Sequence, residues 1–178
     1  MFRIATITAL AAIGLLTGCS TASEAPAVAT NIRKSLDQAG FKDVSVTQDR
    51  DKGVVTLGGH VATDAELASA GQIAQSLAAG EVIANQLAVL PPNDAGTTKT
   101  VYADLDKGID SNLDAALISN GYKTGIRHSV KNGVVTLTGT VDADDQRNQL
   151  ATIAQGVPNT LQVVNEIQTR HQKATSAN

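Results

Sequence analysis

Few side chains in this 178-residue chain are of a type and spacing that could do chemistry. Cys19 is its one thiol, so neither an internal disulfide nor a CxxC metal site can form. The histidines are His60, His128 and His171, and none belongs to an H-E-x-x-H pattern. They read as surface histidines. The run Asp104-Leu105-Asp106-Lys107-Gly108-Ile109-Asp110 approaches a calcium loop, but its glycine comes one position early and Ala115 stands where the closing Glu is needed. These acids are expected to solvate a linker and cap the helix after it. No phosphate loop and no local nucleophile–base pair stands out, so no catalytic residue, metal or cofactor is assigned. One basic arrangement does stand out: Lys123, Arg127 and Lys131 are spaced by four. On a β-strand, period two puts all three on one face. Such a strip can meet phosphate headgroups, at about 1 kcal/mol per base near an anionic surface. It is also how a solvated sheet edge discourages aggregation. Over the whole chain acids outnumber bases, 17 against 14, for a net charge of −3, so a nucleic-acid footprint is not expected. With no Trp, two Tyr and two Phe, stacking platforms are excluded as well.

The segment carrying Cys19 gives that thiol a setting. Met1-Phe2-Arg3 is followed by apolar or small residues through Leu16, too few to span a bilayer as a helix. The stretch closes on Leu16-Thr17-Gly18-Cys19, similar to the bacterial lipobox of an aliphatic residue, two small ones and Cys. The resemblance implies a lipoprotein signal peptide over 1–18, cleavage before Cys19, and transfer of a diacylglycerol to its sulfur. Removal of Arg3 leaves the mature chain one unit more negative. Acylation by more than one chain makes anchoring stable. Ser20, in place of Asp after the Cys, implies sorting to the outer membrane. Residues 19–29 lack any amphipathic period and read as a flexible tether.

The remaining chain is organised by an internal repeat. Gly53-Val54-Val55-Thr56-Leu57-Gly58-Gly59-His60-Val61 and Gly133-Val134-Val135-Thr136-Leu137-Thr138-Gly139-Thr140-Val141 share G-V-V-T-L-x-G-x-V at an offset of 80. Ile73-Ala74-Gln75 and Asn85 recur at that offset as Ile153-Ala154-Gln155 and Asn165. Gly40-Phe41-Lys42 recurs one residue further on, as Gly121-Tyr122-Lys123, which places one extra residue in the first hairpin. Two copies of one fold are therefore expected. In each, a helix (Ile32, Leu36; Ile109, Leu113, Leu117) ends at a glycine cap, Gly40 or Gly121. Two strands follow, with Val55, Leu57, Gly59 and Val61 on one face of the second and a turn at Asn132-Gly133 in copy two. Gly59 and Gly139 mark a bulge or a close helix–sheet approach. Thr63 to Glu66 is a capping box for the next helix, and Asp142, Asp144 and Asp145 favour its counterpart. Val82–Leu90 and Leu161–Thr169 supply the third strands. Phe41 and Tyr122, at equivalent places, read as core plugs. The expected class is α+β: two tandem αββαβ units, a small three-stranded sheet with two helices in each, over 30–90 and 101–170. A linker over 91–100 joins them, and a frayed tail runs over 171–178. Units this small bury only about 60% of their unfolded surface, so contact between the copies is expected.

An αββαβ unit with G-x-V-x-L-x-G-x-V on its second strand, a following helix and Asn85 or Asn165 on the third strand resembles the BON domain (bacterial OsmY and nodulation). With the signal and lipobox, the chain is similar to dual-BON outer-membrane lipoproteins of the DolP type. The resemblance implies a non-enzymatic protein, lipid-anchored at the outer membrane and facing the periplasm. It implies binding to anionic phospholipid or to envelope proteins, in support of membrane integrity under osmotic stress. The alternative is a structural adaptor that binds proteins through its domains and meets the membrane only through the anchor. The sequence departs from the family pattern at one turn, where a Gly-Val pair is replaced by Ala79-Gly80 and Asn159-Thr160.

Overall fold

The computed structural model describes residues 25–122 and 124–170. Copy one runs α1 (Ala29–Gln38), β1 (Val44–Asp49), β2 (Val54–Val61), α2 (Asp64–Leu77), β3 (Val82–Asn85) and β4 (Ala88–Val89). Copy two runs α3 (Ala95–Ser119), β5 (Ile126–Lys131), β6 (Val134–Val141), α4 (Asp144–Gln155) and β7 (Gln162–Thr169). In each sheet the second strand is central. β2 pairs antiparallel with β1, from Val44 opposite Gly59 to Asp49 opposite Val54, and parallel with β3 and β4. β6 pairs antiparallel with β5, from Ile126 opposite Gly139 to Lys131 opposite Val134, and parallel with β7.

Alternation along the central strand builds one core per copy. Val55, Leu57 and Val61 pack with Ile32 and Leu36 of α1 and with Ala70 and Ala74 of α2. Val135, Leu137 and Val141 pack with Ile109, Leu113 and Leu117 of α3 and with Leu150 and Ala154 of α4. Phe41 and Tyr122 pack against these clusters, as core plugs should. The helix before each ends as expected: Gly40 (φ 94°) and Gly121 (φ 88°) are left-handed, and the amides of Phe41 and Tyr122 reach back to the carbonyls of Leu36 and Leu117, both at 2.9 Å. The Asn132-Gly133 turn has φ 49° and 76°, as a two-residue type I′ hairpin requires.

Four expectations are corrected. The linker expected over 91–100 is helical from Ala95, so α3 absorbs it and reaches about 37 Å at 1.5 Å per residue. Nothing after Pro92 removes an amide that the helix needs, and its first turns dock near β4. Asp104, Asp106 and Asp110 consequently lie inside α3 and cap nothing. The third strand of copy one is interrupted at Gln86-Leu87, whereas β7 is continuous. The net one-residue insertion resolves into two parts. The turn between β1 and β2 holds four residues against two between β5 and β6, and Gly125 adds one before β5. Lastly, the chain that crowds Gly59 and Gly139 is the segment entering the neighbouring strand, and no helix is involved. A Cβ on Gly59 would collide with the Asp43 carbonyl oxygen, and one on Gly139 with that of Gly125.

The copies pack together through the sheet faces turned away from their helices. Val54 and Ala84 meet Val134 and Val164 in a third buried cluster. These are equivalent pairs at the repeat offset, so the contact has approximate two-fold symmetry. Two polar contacts obey the same symmetry: Lys52 Nζ bonds Glu166 Oε2 (2.8 Å), and Asn132 Nδ2 donates to the Gln86 carbonyl (2.7 Å). Gln162 breaks it, donating to the Ile83 carbonyl (2.6 Å) and accepting from the Asn85 amide (3.2 Å), so it satisfies the open edge of β3. Bonds to Glu166 and then Asp49 raise the Lys52 pKa, and the bond to Lys52 lowers that of Asp49.

Candidate functional site

Burial along β5 alternates, so Arg127, Ser129 and Lys131 point outward while Ile126, His128 and Val130 turn toward the helices. The strip read from the sequence thus holds for Arg127 and Lys131, whose side chains share one exposed face of an edge strand. Lys123 and Cys19 lie outside the described residues. Neither Arg127 nor Lys131 has an acidic side-chain partner among the described residues.

Lys131 also borders a cleft between the copies, with a volume of about 440 Å³. Its walls come from β2 and β4 (Gly59, His60, Ala88), from α3 (Lys99, Tyr102, Asp106) and from the β5–β6 turn. Lys99, one helical turn after the start of α3, has no acidic partner among the described residues either. His60 and Lys99 continue into a second groove of about 510 Å³ that reaches Lys42 and Phe41. Asp43 also lines this second groove, and two further acids nearby are engaged. Asp106 accepts from the amides of Asn132 and Gly133, both at 2.8 Å, and Glu66 accepts from the Ala62 amide (2.8 Å). Asp106 therefore does something the sequence did not suggest: it seats the type I′ turn on α3. Two ammonium groups, an imidazole and a tyrosine ring around an open cleft suit an anionic, partly apolar ligand. Charge attraction at such a surface is short-ranged, screened within about 8 Å at physiological salt.

The other residues singled out in the sequence are structural. Asn85 Nδ2 donates to the Leu67 carbonyl (3.4 Å), and Asn165 Nδ2 to the Arg147 carbonyl (2.9 Å). The repeated Asn thus ties each third strand to the helix before it. The substituted turn keeps left-handed backbone, at Ala79 (φ 52°) and Gly80 (φ 94°) in copy one and at Asn159 (φ 66°) in copy two. His128 departs from the surface reading. Its side chain is 11% exposed, and Nε2 lies 3.0 Å from Asp110 Oδ1 and 3.7 Å from Asp114 Oδ1. Its partners come from another element, so no local motif announced them. Among the described residues, no helix is long and apolar enough to cross a membrane.

The fold and repeat agree with comparisons to known proteins. The BON domain profile matches residues 24–91 and 105–171. The chain is 26% identical over 147 residues to the Osmotically-inducible protein Y of Escherichia coli (strain K12), covering 81% of this chain and 72% of that protein. Two solved structures of CdsD, a structural protein of the type III secretion system of Chlamydia trachomatis, also align. The C-terminal domain does so at 17% identity and TM-score 0.32, over 80% of this chain and 65% of that one. The second aligns at 13% identity and TM-score 0.36, over 84% and 98%. Two profile matches, one on each copy of the repeat and together spanning most of the residues, establish that this chain belongs to the BON-domain family.

Proposed function

We propose that this protein is a periplasm-facing outer-membrane lipoprotein, anchored through Cys19, whose folded part binds anionic phospholipid and supports the envelope under osmotic stress. The observation that carries the binding role is the exposed face of β5. Arg127 and Lys131 project together there, free of acidic partners among the described residues, and Lys131 opens onto the cleft that holds Lys99 and His60. Similarity to an osmotically inducible relative supports the stress context. Lys123, the third base of the strip in sequence, joins the proposed contact. Attraction at about 1 kcal/mol per base is weak on its own. The acyl anchor makes it effective by holding the domains at high local concentration beside the membrane.

Flotation with vesicles tests both halves. The native lipoprotein should float with neutral and anionic vesicles alike, whereas Cys19→Ala should float only with anionic ones and lose binding as salt rises. In the Cys19→Ala background, Arg127→Gln and Lys131→Gln should each weaken binding about fivefold, the equivalent of about 1 kcal/mol. Cys19→Ala protein that ignores anionic vesicles would leave the adaptor reading, with membrane contact through the anchor alone.

A further inference from the structure

We propose that Asp110, Asp114 and His128 form a binding site for a first-row divalent transition-metal ion, independent of the basic face of β5. Asp110 and Asp114 lie one turn apart on α3, and His128 reaches them from the inward face of β5. One ligand atom from each lies within 4.8 Å of the other two. Four ligands placed tetrahedrally at about 2.0–2.1 Å from zinc stand roughly 3.4 Å apart. The 3.0 Å and 3.7 Å separations from His128 Nε2 to the two carboxylates straddle that value. One imidazole nitrogen with two carboxylate oxygens suits zinc and its first-row neighbours. Calcium and magnesium prefer all-oxygen shells. Three protein ligands leave further positions to water.

The repeat supplies an internal comparison. Matched on the helix caps and on the glycines of the central strands, the three positions in copy one are Ala29, Arg33 and Val46. None is a metal ligand, and Arg33 pairs instead with Asp37 (2.8 Å). Copy two carries a ligand-type residue at all three. A simple tether between His128 and α3 needs one carboxylate. The second, four residues along the same helix, adds like-charge repulsion that a bound cation removes.

Calorimetric titration of the full chain carrying Cys19→Ala with zinc chloride, in chelator-treated buffer, tests the site without thiol interference. One zinc per chain is expected, with the affinity reduced more than tenfold by His128→Gln and by Asp114→Asn. Zinc should also raise the melting temperature of the parent chain and leave that of both variants unchanged. Asp114 is 64% exposed, so Asp114→Asn carries the test even if His128→Gln disturbs packing. Absence of zinc binding overturns the proposal, as does binding of equal strength in Asp114→Asn. An Asp114→Asn variant that melts lower by the same amount with and without zinc also overturns it, because the cluster is then only an ion pair.

Discussion

At the scale of single residues, the glycines of the repeated strand motif separate into two kinds. At Gly139 (φ 140°) a Cβ would enter the Gly125 carbonyl oxygen, a backbone atom that only strand displacement can move. At Gly133 (φ 76°) it would meet Leu161 Cγ at 2.8 Å and Cδ1 at 3.0 Å, atoms of a side chain 76% exposed and able to swing away. Gly139→Ala should therefore destabilise the chain by about 3 kcal/mol, from combined overpacking and backbone strain. Gly133→Ala should cost about 1–2 kcal/mol, from left-handed backbone alone. Urea titrations of the two full-length variants decide this, and equal midpoints would count against close approach at Gly139. The glycines' importance was legible in the sequence, because a repeated Gly inside a strand pattern needs a reason. Which chain crowds them was not, since the segments before β1 and β5 approach only once the hairpins close. The same limit applies to His128. A histidine's partners on another element depend on helix–sheet register, which no local spacing encodes.

At the scale of elements, the two copies show how one plan tolerates different capping. The Thr63 hydroxyl accepts from the Glu66 amide (3.2 Å) and so caps α2. Ala143 occupies the same place before α4 with extended backbone and no side-chain acceptor. Gln146 still reaches back to the amides of Asp142 and Ala143, at 3.0 and 3.3 Å, so half of the reciprocal arrangement survives. Ala143→Ser should restore the other half and stabilise the protein by about 1 kcal/mol, read as a rise in melting temperature. Strands and most helix ends were legible here because alternation, Gly caps and the Asn-Gly turn are local signals. The start of α3 was hidden for the opposite reason. Pro91-Pro92-Asn93-Asp94 with Gly96 and Thr97 reads as a turn, but the helix begins at Ala95 and takes in Gly96 and Thr97, and it lies beside β4 of the other copy.

At the scale of the whole molecule, the clasp between copies is partly electrostatic and so depends on pH. The raised pKa of Lys52 means its contribution is complete below the ordinary lysine value and is lost as pH rises through the folded one. Asp49 bonds Lys52 within copy one, so its lowered pKa stabilises the turn between β1 and β2 and not the clasp, and that part is lost as pH falls through the folded value. The Lys52–Glu166 part of the clasp should thus be present at neutral pH and be lost in strong alkali. Lys52 is more than a third exposed, which limits the effect to about 1 kcal/mol or less. Calorimetry should find one transition at neutral pH, and Val134→Asp, which places a charge in the shared apolar cluster, should split it into two. The two-fold relation between Val54–Ala84 and Val134–Val164 has a consequence for assembly. An isologous patch closes on itself after two units and offers nothing to a third, so this chain is in effect a dimer carried on one polypeptide. Its halves are not identical at the junction: Gln162 serves it from a position where copy one has Val82, and Lys52 and Asn132 serve it from equivalent places with different chemistry. A protein with only one such unit would keep that apolar face uncovered and should meet a second molecule through it, whereas here covalent linkage has already filled the vacancy.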